Sequence, residues 1–220
     1  MNTYDTPAPI TAVVDIPAGR VQVIAADRAD TAVEVLPANA SKGRDVKAAQ
    51  QVTVDYTDGV LRIQAAGGNK LVGPSGSIEV TVKLPAGSRV EAKAASAEFR
   101  AVGRLGEVAF DGAYHHIKID EAASVQLTAL DGDVHVGRLA GPAQISTQRG
   151  DIHIGEATSG TVELTTQSGD ITVTAATGVS AALDAGTSYG RVSNSLKNNG
   201  TTDLNIQATT SYGDITAQSL

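Results

Sequence analysis

The sequence predicts an all-β fold, a single-domain β-solenoid (β-helix-like) made of two-strand coils of about 17–23 residues. Three observations carry this prediction. A short phrase returns along the chain as Gly132-Asp133-Val134, Gly150-Asp151-Ile152, Gly169-Asp170-Ile171, Gly190-Arg191-Val192 and Gly213-Asp214-Ile215. A second apolar series, Leu127, Ile145, Leu164, Leu183 and Ile206, tracks the anchors Val134, Ile152, Ile171, Val192 and Ile215. Around both series apolar and polar residues alternate with period two, the mark of half-buried strands. Such repeats cannot bury an apolar face alone, but stacked ones share a continuous core. An antiparallel sandwich is the competing all-β reading, yet its successive strands occupy different environments and have no reason to repeat a phrase.

Taken in order, the whole chain, 1–220, reads as one domain, with irregular N-terminal coils and long loops over 1–88 and regular repeats over 89–220. Strands are expected at 12–16, 20–25, 32–36, 51–56, 60–65 and 78–84, where the alternation is clear. Ile16-Pro17-Ala18-Gly19 returns as Leu84-Pro85-Ala86-Gly87, which reads as one strand, turn, strand unit used twice, with proline kept to the turn. Two loops interrupt these strands. Residues 37–50 have room for one helical turn, and the glycine-rich stretch 66–77 is expected to be mobile. Ala92 with Phe99, and Phe110 with Ile117, begin the regular repeats in degenerate form. In the last two copies the apolar pairs Leu183/Val192 and Ile206/Ile215 stand nine residues apart rather than seven, an even lengthening that preserves which residues face inward. The strand beginning at Ile215 is expected to end the stack, with 195–203 an insertion folded over neighbouring coils.

Composition agrees with a thin interior. Aromatics are 3% of the residues, with no Trp and two Phe, so closely spaced small aliphatics must fill the core. A net charge of −7, with 17 Lys and Arg and no basic cluster, argues against a nucleic-acid partner. There is no Cys, which excludes disulfides and thiol chemistry. No window approaches the roughly 20 apolar residues of a membrane span, and no leader-like segment stands at the N-terminus, so a cytoplasmic location is expected.

Stacking would align outward residues into columns. The one before each anchor reads Glu98, His116, Asp133, Asp151, Asp170, Arg191, Asp214, with Arg191 interrupting its acidic run. The one after reads Arg100, Lys118, His135, His153, Thr172, Ser193, Thr216. Asp133, Asp151, Asp170, His135 and His153 are the candidate ligand-binding residues, for a cation or a polysaccharide. The competing account is that Asp after Gly bonds backbone at its own turn, which by itself explains the residue choice. Tyr189 and Tyr212 occupy equivalent positions, so their rings should stack, and they are candidate interface anchors. Asp111, Asp131 and Asp133 could pair for acid/base chemistry on sugars, but no aromatic platform accompanies them. No catalytic residues, no cofactor and no metal set are predicted.

The succession Ile-Pro-Ala-Gly, the repeated Gly-Asp-Ile arms and the paired Thr-Ser-Tyr-Gly at 187–190 and 210–213 resembles the bacterial putative-adhesin family of β-solenoid proteins, a family defined by a domain of unknown function. The resemblance runs roughly from Tyr4 to Thr216 and brings no catalytic residues. It implies a non-enzymatic binding or scaffolding protein, with a protein partner or self-association through the solenoid end or a face. A carbohydrate-binding or carbohydrate-active β-helix and an extracellular adhesin are the alternatives.

Overall fold

Alternation of apolar and polar residues becomes strand nearly everywhere it occurs, and the chain is an all-β solenoid. The computed structural model describes residues 1–65, 76–112, 114 and 116–220; most of the glycine-rich stretch expected to be mobile lies outside the described residues. Two compact units follow one another, Met1–Tyr114 and His115–Leu220.

The first unit contains β1 (Asn2–Asp5), β2 (Thr11–Ala26), β3 (Asp30–Pro37), α1 (Gly43–Gln50), β4 (Val52–Thr57), β5 (Val60–Ala65), β6 (Ile78–Pro85) and β7 (Arg89–Gly112). Every strand expected from the N-terminal alternation is present. At its centre β2 runs parallel to β5 and β6 on one side and to β7 on the other. Outside that parallel core the pairing changes hand: β4 is antiparallel to β5, β3 to β6 and β1 to β3. Helix α1 packs on β3 and β6. It is two turns long, one more than expected, and its buried Asp45 accepts the Ser77 N–H through Oδ1 at 3.1 Å.

The two Pro-Ala-Gly phrases are not the same corner. Asp15, Ile16 and Gly19 lie in register with Lys93, Ala94 and Ala97, whereas Lys83 to Pro85 pair with Ile24 to Ala26 at the far end of β2. Pro17 sits within β2, where the strand bends, rather than in a separate turn. Gly19 is obligatory there. Its φ is +128°, and a Cβ would stand 1.8 Å from the Ile78 carbonyl oxygen. Equal letters therefore served two geometric needs.

The second unit contains β8 (Ile117–Thr128), β9 (Val134–Leu139), β10 (Ala143–Arg149), β11 (Ile152–Ala157), β12 (Gly160–Ser168), β13 (Ile171–Ala175), β14 (Ala181–Tyr189), β15 (Val192–Ser195), β16 (Leu204–Tyr212) and β17 (Ile215–Ser219). All pairing among its described residues is parallel. On one sheet the order is β8, β9, β11, β13, β17, β15. On the other it is β8, β10, β12, β16, β14.

Order in space thus departs from order in sequence. The coil of β16 and β17 inserts between β12/β13 and β14/β15, so β17 is interior and the coil 181–195 forms the edge. The segment 196–203 is the crossover that makes this exchange, and it is tied down by bonds such as Ala181 N–H to the Lys197 carbonyl at 3.0 Å. The expected lengthening of the last two copies also disappears. Leu164 is in register with Ala208 and Ala185, each seven residues before its anchor, while Ile206 and Leu183 align with Val162. The cross-section stays constant, and the additional length lies in the connections.

The core is the predicted set of small aliphatics. Val134, Val136, Ile152, Ile154, Ile171 and Val173 face Leu127, Ile145, Val162, Leu164 and Ile206, all 0–1% exposed. Burial at that level is worth about 1.5–3 kcal/mol for each Val, Leu or Ile side chain. Phe99 and Phe110, in the first unit, are the two phenylalanines, packed 5.0 Å apart.

Candidate functional site

Each Gly-Asp-Ile phrase begins with a backbone geometry that only glycine meets well. Gly150 has φ of +132°, and a Cβ on it would lie 2.3 Å from the Gly132 carbonyl oxygen. Three residues upstream, on the inside of the same bend, stands a threonine, and this residue escaped the sequence reading. Thr166, Thr210 and Thr187 each donate Oγ1–H to the glycine carbonyl of the neighbouring coil, Gly150, Gly169 and Gly213, at 3.2, 3.0 and 3.0 Å. Thr147, 2% exposed like Thr166 and Thr210, bonds the Arg149 carbonyl instead. The signal was available as Thr-x-x-Gly at 147, 166, 187 and 210.

The aspartates that follow form a ladder. Asp133 Oδ1 accepts the Asp151 N–H at 3.0 Å, Asp151 Oδ1 that of Asp170 at 2.8 Å, and Asp170 Oδ1 that of Asp214 at 2.7 Å. Turn chemistry was expected to act within each coil; it acts between coils instead. Stacked carboxylates repel, by about 1 kcal/mol per pair at 4 Å in water, and the charge-assisted backbone bonds offset this. Arg191 does not interrupt the column. It ends it, donating its N–H to Asp214 Oδ1 at 2.8 Å and reaching Asp214 Oδ2 through Nη2 at 3.3 Å. His116 stands at the other end of the column, Nδ1 3.4 Å from Asp133 Oδ2.

In the next column Lys118, His135, His153 and Thr172 lie in register. The imidazoles of His135 and His153 face each other with centroids 4.9 Å apart and planes 32° apart. His153 is half-buried, and burial first, then His135, holds its pKa below the ordinary histidine value.

Carboxylates considered for acid/base work have structural partners: Asp131 pairs with Arg149 at 2.8 Å, and Asp133 bonds the ladder. Asp111 lies in the first unit, on exposed β7 surface.

Tyr189 and Tyr212 stack at 4.9 Å with planes 3° apart, 68% and 59% exposed. They stand at the rim of the edge coil, which among the described residues of this unit is met from outside at Ala181, by the Lys197 carbonyl and the Asn198 side chain of the crossover. Val192, in register with Ile215, is 45% exposed where Ile215 is 1%. Beyond Ala181, β14 and β15 pair among the described residues with β16 and β17 on one side, and their other side is the edge of a parallel ladder.

Among solved structures the chain is similar to a putative cell adhesion protein from Clostridium sporogenes, 14% identical over 100% of this chain and 98% of that one, with a TM-score of 0.42. A putative adhesin from Bacteroides fragilis is 14% identical over 98% of this chain and 95% of that one, with a TM-score of 0.41. No curated protein matches the sequence. The pattern of the family described as Toastrack DUF4097 matches residues 13–219, from the first long strand to the last, and the chain belongs to that family.

Proposed function

We infer that the protein is a non-enzymatic binding or scaffolding solenoid that associates with a second copy of itself through the uncovered coil of β14 and β15. The observation that supports this reading is Val192, 45% exposed at a position whose neighbours in the stack are fully buried. An uncovered apolar end with open strand edges on both sheets is a template for further pairing. A two-fold axis lying in the plane of that end sets each edge antiparallel to its counterpart and closes the pair, covering the β14/β15 end of both copies. Charge agrees with a copy as occupant. The coil's charged residues, Asp184 and Arg191, are of opposite sign, so like charges need not be brought together. The Tyr189 ring, already stacked on Tyr212, offers its other face at the same rim.

The experiment is sedimentation equilibrium over a wide concentration range. Wild-type chain should populate a dimer that Val192→Lys abolishes, since a charge on an edge strand blocks pairing. A monomer at every concentration, with the variant indistinguishable, overturns the reading. Adhesion belongs to the proteins described by that word, and a carbohydrate reading would have to use carboxylates engaged in the ladder and in the Arg149 pair.

A further inference from the structure

We propose that His135 and His153 form a two-imidazole site for a late first-row divalent transition-metal ion. The pair is fixed by the fold. Strands β9 and β11 are adjacent, parallel and in register, so the two histidines are direct partners. Their Cα atoms are held at the strand spacing, about 4.8 Å. Two nitrogens bound to one tetrahedral ion, each about 2.05 Å from it, lie about 3.3 Å apart. The rings stand 4.9 Å apart between centroids and splay by 32°, so side-chain rotation alone brings a nitrogen of each onto one ion.

Four further features suit a cation. Neither imidazole has a hydrogen bond or an ion pair with any described residue, whereas His116 is engaged by Asp133. Burial first, then His135, holds the His153 pKa below the ordinary histidine value, the direction that favours the neutral ring a metal binds. Asp133 and Asp151, exposed and two residues upstream of the histidines, just before the same strands, place carboxylates that offset Lys118, which lies beyond His135 in the column. On the other flank the residues two positions on are Gly137 and Gly155, which place no side chain beside the imidazoles. With two protein ligands and nitrogen donors the order of affinity follows the late first-row series, Cu²⁺ above Zn²⁺.

The test titrates the full chain with Cu²⁺ alone at neutral pH, by calorimetry and by electron paramagnetic resonance. One site per chain with nitrogen hyperfine structure is expected. His135→Gln and His153→Gln should each weaken it on the order of a hundredfold, because the second imidazole then no longer binds intramolecularly. His116→Gln should leave it intact. His135 is exposed and His153 half-buried on the outward side of its strand, and circular dichroism verifies that the variants fold. Unchanged affinity in the His135→Gln, His153→Gln double variant, or loss of binding in His116→Gln alone, overturns the proposal. The dimer of the previous section is read by sedimentation without metal, so either idea can fail without the other.

Discussion

At the scale of single residues the glycines of the repeat do two jobs that no other side chain does together. They hold a positive φ, and they let the carbonyl of the adjacent coil come closer than a Cβ would allow. Gly150→Ala confronts both, with φ of +132° and an oxygen at 2.3 Å. It should lower stability by about 1–3 kcal/mol for the backbone alone, more if the contact forces the coils apart. Gly178→Ala is the control: φ there is +82°, yet nothing lies within 4 Å of the new atom. Urea unfolding of the two variants should rank Gly150→Ala clearly lower. Equal midpoints would mean that the close approach between coils costs nothing.

At the scale of the element, a coil corner consists of Thr, two variable residues, Gly, Asp and an apolar anchor. Thr and Asp each reach to the neighbouring coil, from inside and outside the bend respectively. Thr166→Val keeps the shape but removes the donor to the Gly150 carbonyl, in a place that is 2% exposed. A loss of about 1–3 kcal/mol is expected for the unsatisfied oxygen, read as a shift of the denaturation midpoint at unchanged slope. The Gly132 corner has Ala129 at this position, so the threonine is an addition to the coil rather than a condition for it.

Much of this element was legible. Anchors, strand parity, inward faces and the tyrosine stack follow from alternation and spacing, because side-chain direction in a strand has a period of two and leaves little choice. The threonines were missed because attention to apolar anchors passes over a polar residue that faces inward. The antiparallel strands β3 and β4 were located correctly, but their direction was hidden, and β1 was not expected at all. Alternation is the same whichever way a strand runs.

At the scale of the molecule, the coil order was the feature least open to sequence reasoning. Coils that carry the same corner present the same partner surface, so the last coil fits beside β12/β13 as well as any other would. What distinguishes the edge coil is depletion. It has Asn194 where inner coils carry Ala217, Val173 and Ile154, and Arg191 at the ladder's end, while its Ala185 matches Ala208 of the interior coil beside it. The exchanged order predicts that Ile215→Ala costs about 2–5 kcal/mol as a core truncation, while Val192→Ala costs well under half of that. Were the coils stacked in chain order, Ile215 would lie at the edge and the ranking would reverse. Denaturant melts of the two variants decide between them.

The crossover at 196–203 also has a consequence in time. During synthesis β14 and β15 leave the ribosome before β16 and β17, the strands they must rest on. Until those arrive, the parallel edge of β12 and β13, the seat which β16 and β17 finally occupy, stands open to the earlier pair. The nascent chain must therefore hold its penultimate coil unpaired or release it from a borrowed place. A chain stopped before residue 204 would keep that coil in the wrong seat, with a complete set of backbone bonds to hold it there.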